Sequence, residues 1–135
     1  IISCDPPRSF YVSWEYGDDV SWIKVDLEAV DRGTRLTLKH IMLKSEAGEA
    51  HWKKYGPAAT GVGWELAFLA LDYVLSNAGM IIDAAENAAW MTTAAGKLFM
   101  RQSAEKWGEA HARAGEVREI ALEMAKQTAS FYTGE

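Results

Sequence analysis

A single cysteine, Cys4, rules out any disulfide within the chain, and a lone thiol points to a reducing, cytoplasmic setting. Basic clusters are missing too. Nineteen acidic side chains outnumber 14 basic ones, for a net charge of −5. A nucleic-acid backbone is repelled by that balance on average, so no nucleic-acid partner is expected. Long apolar runs are equally scarce. The longest, Trp64 to Leu75, is interrupted by Glu65 and Asp72. A bilayer span needs roughly 20 largely uncharged residues, so we expect a soluble chain with no membrane span. No positively charged start leads into an apolar core, and no secretory signal is read. The opening Ile1-Ile2-Ser3-Cys4 reads as the end of a strand, as in a processed form or a fragment.

Catalytic patterns are also lacking. No Gly-x-Ser-x-Gly elbow occurs to anchor a hydrolase triad. Gly56 and Gly61 have the glycine spacing of a phosphate-binding loop, but Val62-Gly63 replaces the lysine and hydroxyl residue that hold phosphate and magnesium. Gly61-Val62-Gly63 has neither a third glycine nor a preceding strand, so it is no dinucleotide fingerprint. The three imidazoles, His40, His51 and His111, lack metal-ligand spacing, and neither a metal nor a cofactor is expected. Cys4 has no activating base nearby in sequence. His51 and His111 read as helix-surface or interface residues. His40 is different, because it shares an alternating face with Leu36, Leu38 and Met42. Three readings stay open for it: a hydrogen-bonded structural histidine, a ligand contact, or a catalytic base.

What is present is a compact-domain composition, 49% hydrophobic over 135 residues with six tryptophans. The first third alternates with period two. Phe10, Val12, Trp14 and Tyr16 form one apolar face; Ile23, Val25, Leu27 and Ala29 the next; Leu36, Leu38, His40 and Met42 the third. Turns at Gly17-Asp18-Asp19 and Asp31-Arg32-Gly33 join them into an antiparallel meander with one wet side. From Glu46 to Ser76 the period lengthens to three or four, through Trp52, Tyr55, Ala59, Val62, Leu66, Leu69 and Tyr73. Gly56-Pro57 and Gly61-Val62-Gly63 interrupt that helix, so a kinked or weak opening is expected, with the best helix from about Gly61. Asn77-Ala78-Gly79 ends it. Asp83 and Glu86 have capping-box spacing, and Thr92 or Thr93 could cap a further helix that Gly115 stops. A last helix carries Val117, Ile120, Ala121, Met124, Thr128 and Phe131 on one stripe. The fold class is α+β: an antiparallel sheet, a long helix, and further C-terminal helices.

Three segments carry a family resemblance. Asp5-Pro6-Pro7-Arg8-Ser9-Phe10-Tyr11-Val12-Ser13-Trp14-Glu15 resembles the "pPrrLvftWe" strand of helix-grip (START-like, SRPBCC) domains related to the activator of the heat-shock-protein-90 ATPase. Gly33 to His40 resembles their "gTrLtlrH" strand, and His51-Trp52-Lys53-Lys54-Tyr55-Gly56 with Gly63-Trp64 resembles the start of their long helix. The resemblance covers about residues 1–76. The remainder resembles a helical extension of some bacterial relatives. It implies a partial helix-grip domain over 1–78 and an extension over 79–135 packed on the same domain. The family's opening strand, two short helices and next strands have no counterpart, so a cavity would be partly open or completed by another chain.

By that resemblance, Phe10, Trp14, Leu38, His40, Tyr55, Trp64 and Phe68 are cavity candidates for a small hydrophobic ligand. Plain core packing of the same aromatics remains the alternative. The C-terminal helices have narrow apolar stripes that either cover this chain or form a subunit interface, with Trp90, Leu98 and Phe131 as contact candidates and a homodimer or partner protein as the occupant. We expect a non-catalytic binding protein. A co-chaperone-like interaction or dimerisation module and a polyketide cyclase-like enzyme are the alternatives that relatives imply.

Overall fold

The computed structural model describes residues 1–17 and 19–135, with the side chain of Tyr16 left out. Asp18 of the expected first turn and the Tyr16 side chain of the first apolar face therefore lie outside the described residues. The chain is α+β, a four-stranded antiparallel sheet followed by five helices. It divides into two compact units, Ile1–Gly48 and Glu49–Glu135.

The first unit holds β1 (Ser3–Asp5), β2 (Ser9–Tyr16), β3 (Asp19–Val30) and β4 (Gly33–Met42), in the spatial order β1-β2-β3-β4. Alternation dictated three of these strands. The short β1 pairs Cys4 with Phe10, as the strand-like opening residues suggested. β3 and β4 are joined at Val30 and Gly33 by the two-residue turn Asp31-Arg32. The register sets Phe10 opposite Val25 and Val25 opposite Leu38; it sets Val12 opposite Ile23 and Ile23 opposite His40. Residues directly opposite share a face, so the alternating residues of the three strands do form one apolar surface. Ile23 and Val25, on the inner strand β3, are its buried centre. The other face is mixed: Tyr11, Trp22 and Ile41 lie on it beside the ion pairs Lys24–Asp26 and Glu28–Arg35, both at 3.2 Å.

The second unit is helical. The helical stretch expected over Glu46–Ser76 with a kinked or weak opening is divided into α1 (Glu46–Tyr55) and α2 (Ala58–Ser76). The break is at Gly56-Pro57, where Gly56 takes a left-handed φ of 60° and Pro57 opens α2. Gly61 and Gly63 do not weaken α2 as expected. Gly61 is buried, and a Cβ there would come within 2.3 Å of the Trp107 ring, so this glycine serves close packing. Ala78 and Gly79, both at positive φ, end α2.

α3 (Ala84–Thr92) starts where Asp83 Oδ1 accepts from the N–H groups of Ala85 and Glu86. Thr93 then caps α4 (Ala94–Arg113) by accepting from Gly96 N–H at 3.1 Å. α5 (Arg118–Thr133) follows the stop at Gly115. Ala58, Val62, Met100 and Ala104 form the core of this unit, with Leu66, Phe99, Trp107 and Tyr132 packed around them. Small residues let α4 and α5 approach closely: a Cβ on Gly108 would lie 2.7 Å from that of Ala125. Residues 79–135, expected as an extension, thus share a core with α2.

Among the described residues, α2 alone is long and apolar enough by composition to reach across a bilayer. Glu65 and Asp72 lie within it, and Ala58, Gly61 and Val62 are packed into the helical core. A core helix of a globular protein meets the same description, so no clear membrane span is present.

Candidate functional site

The apolar face of the sheet is the best-defined candidate surface. Its rows run Cys4–Phe10–Val25–Leu38, Val12–Ile23–His40 and Trp14–Ser21–Met42, with Leu27 beside Leu36. Only the centre is buried. Phe10 keeps 42% of its surface exposed and Trp14 keeps 55%. The face therefore presents aromatic and aliphatic surface beyond what the sheet itself covers.

One polar pair interrupts it. His40 Nε2 lies 2.9 Å from Ser21 Oγ, and the Ser21 hydroxyl donates to the Trp14 carbonyl at 3.1 Å. A serine hydroxyl has one proton to give. With that proton on Trp14 O, the hydrogen shared with His40 must come from the imidazole, so the neutral ring carries its proton on Nε2. Burial lowers the pKa of His40 below the ordinary 6.5, because charge is poorly solvated on an apolar surface. The hydrogen bond orients the ring, and burial favours its neutral form. Ser21 was not singled out in the sequence. The signal was there, because Ser21 has the same parity as Ile23 and Val25.

A hollow of about 210 Å³ lies at the β1 end of the sheet, lined by Cys4, Pro6, Pro7, Ser9, Phe10 and Leu27. Drug-sized ligands occupy roughly 300–1,000 Å³, so this hollow alone takes a small group or the end of a chain. Cys4 is exposed as a free thiol.

Of the cavity candidates, Phe10, Trp14, Leu38 and His40 come together on this face. Trp64 and Phe68 come together on one side of α2, with ring centres 6.4 Å apart. Leu71 and Leu75 continue that side at helical spacing and are exposed. Tyr55 has other neighbours: His51 at 4.8 Å and Phe131 at 5.7 Å, with Lys54 Nζ over its ring at 4.8 Å. Its carbonyl accepts from the fully buried Thr128 hydroxyl at 3.0 Å. Tyr55 is thus a joint between α1 and α5.

The interface candidates differ among themselves. Trp90 is half-buried against Phe99, with ring centres 6.0 Å apart. Leu98 and Phe131 are exposed. His51 is exposed as expected, whereas the side chain of His111 keeps only 12% exposure. Its ring sits edge-on to Trp52, and Nε2 lies 3.9 Å from Glu116. Expected at a helix surface or an interface, His111 lies in the contact between α4 and α1. Among the described residues no group of histidine, cysteine and carboxylate side chains could hold a metal ion.

Comparison with known proteins finds no family model that matches this chain, and no curated protein or solved structure with significant similarity to it.

Proposed function

We propose that this chain is a non-catalytic helix-grip domain that holds a small hydrophobic ligand against the apolar face of its sheet. One observation carries the reading: a partly open apolar face with an oriented polar pair, His40–Ser21, set toward its β4 edge. Apolar surfaces with a few placed polar groups are how proteins hold such ligands. The three family-like segments fall on β2, on β4, and on α1 with the start of α2. The exposed Cys4 suits a reducing compartment such as the cytoplasm.

The test uses N-phenyl-naphthylamine, a neutral probe that fluoresces in apolar surroundings. Saturable one-to-one binding is expected, lost in Trp14→Arg and Leu38→Arg and retained in Ser13→Arg on the opposite face. Native mass spectrometry of gently purified protein should show added mass that disappears on denaturation. Non-saturable probe binding, or equal binding by Trp14→Arg, would refute the assignment.

A further inference from the structure

The two edges of the sheet differ. On one side the short β1 covers only the Ser9–Tyr11 part of β2. On the other, β4 runs from Gly33 to Met42, and among the described residues no strand pairs with its outer side. Its ladder with β3 is unbroken over 10 residues, without a bulge and without a proline. Every residue of β4 except Leu38 and His40 is exposed. Long open edges are templates for another strand, and sheets blunt them with prolines, bulges or short strands. β4 uses none of these devices. Of its two cations, Arg35 is engaged by Glu28, which leaves Lys39 to guard the edge.

The direction of the backbone groups follows from the ladder. Leu27 N–H bonds the Arg8 carbonyl on the β2 side. The even-numbered residues of β3 therefore turn their N–H and C=O groups toward β4, where odd-numbered residues face them. The two-residue turn between Val30 and Gly33 has the same parity. The N–H and C=O groups of Thr34, Leu36, Leu38 and Met42 thus point away from β3, where an incoming strand would meet them.

A second copy of β4, laid antiparallel about a two-fold axis, fits this edge best in one register. Centred on Leu38, it sets Leu38 against Leu38 of the partner subunit, Leu36 against His40 of the partner subunit and Thr34 against Met42 of the partner subunit. Lys39 then faces Thr37 of the partner subunit, and Arg35 faces Ile41 of the partner subunit, so no like charges are directly opposed. Centring on Thr37 would oppose Arg35 to Lys39 of the partner subunit, and centring on Lys39 would oppose the two lysines. Centring on Leu36 or His40 avoids that repulsion but shortens the ladder from residues 34–42 to 33–39 or 38–42. The favoured seam also covers one flank of the exposed Leu36 and Met42. We propose that β4 is the interface of a symmetric homodimer in which two sheets join edge to edge. This inference is independent of the ligand-binding reading.

Residues 34–42 extend about 30 Å along the strand. A seam one strand deep falls at or below the small end of specific interfaces, about 1,200 Å² in total, so the dimer should dissociate on dilution. Sedimentation velocity across the micromolar range should show a reversible monomer–dimer equilibrium. Amide exchange reads the seam itself. The Leu36 and Leu38 amides should exchange at least about ten-fold more slowly in the dimer than after dilution, while Thr37 and Lys39, already bonded to β3, keep their rates. Thr37→Lys places a lysine opposite Lys39 of the partner subunit, twice over, yet beside Asp26 of its own chain. It should weaken the dimer about ten-fold at low salt with circular dichroism unchanged. Adding Lys39→Glu should restore it to within a few-fold. Leu36→Pro removes an outward N–H and spares the β3 ladder, and it should be monomeric. A wild-type chain that stays monomeric at the highest concentration overturns the proposal. So does a dimer that survives Leu36→Pro or Thr37→Lys unchanged, a double variant no tighter than Thr37→Lys, or Leu36 and Leu38 amides indifferent to dilution.

Discussion

Gly61→Ala isolates the closest approach in the helical unit. In a free helix the change would stabilise, because alanine is favoured over glycine by about 1 kcal/mol. Here the added methyl would lie 2.3–2.5 Å from three ring atoms of Trp107, well inside contact distance. The indole cannot swing away freely, since it packs against the core of Ala58, Val62, Met100 and Ala104. Either α2 and α4 separate by about an ångström or the ring leaves its place, and forced overpacking of this kind costs about 1–3 kcal/mol. The steric cost exceeds the propensity gain, so the expected net effect is a loss of about 1 kcal/mol or more. Urea denaturation followed by tryptophan fluorescence measures it. Trp107→Ala in the Gly61→Ala background completes a cycle in which the two changes should be coupled by at least about 0.5 kcal/mol, because the second removes the obstacle. A Gly61→Ala chain as stable as wild type, or more so, would refute the close α2–α4 contact.

Three further outcomes follow from other parts of the chain. His40 should titrate below its ordinary 6.5 in an imidazole-proton NMR titration; because the folded pKa is lowered, its contribution to stability is complete above about 6.5 and falls as pH drops through the folded value, a dependence that His40→Gln should flatten. Thr128→Val keeps the shape but strands the Tyr55 carbonyl, and urea unfolding should show a loss of about 1–3 kcal/mol. Asp83→Ala removes an acceptor shared by two N–H groups and should cost about 1 kcal/mol, seen as faster amide exchange across α3 while α5 exchanges as before.

The legible parts of this chain are those governed by local rules. Alternation assigned Phe10, Val12 and Trp14, then Ile23 and Val25, then Leu38 and His40 to one face, and the strand register agrees, because a period of two leaves a half-buried strand no other choice. Caps were equally readable, since Asp83 and Thr93 use side chains that bond their own following N–H groups. Close packing was not readable. A glycine in a helix looks like a weakness until Trp107 is seen above Gly61, and whether His111 lies at a surface or an interface is decided only by Trp52 against its ring. The partnership of His40 with Ser21 lies between these cases: the shared face follows from parity, but the direction of the hydrogen bond needs the Trp14 carbonyl.

The division of α2 connects these levels. Its sequence is apolar nearly all round, broken by Glu65 and Asp72, which are seven residues apart and so fall on one line of the helix. Such a helix lacks the single stripe of an ordinary surface helix, and helices of this kind are stable in water when covered on more than one side. The α4–α5 pair accounts for one side through Ala58, Val62 and Leu66. Trp64, Phe68, Leu71 and Leu75 form a second, with the Trp64 and Phe68 ring centres 6.4 Å apart and Leu71 and Leu75 exposed.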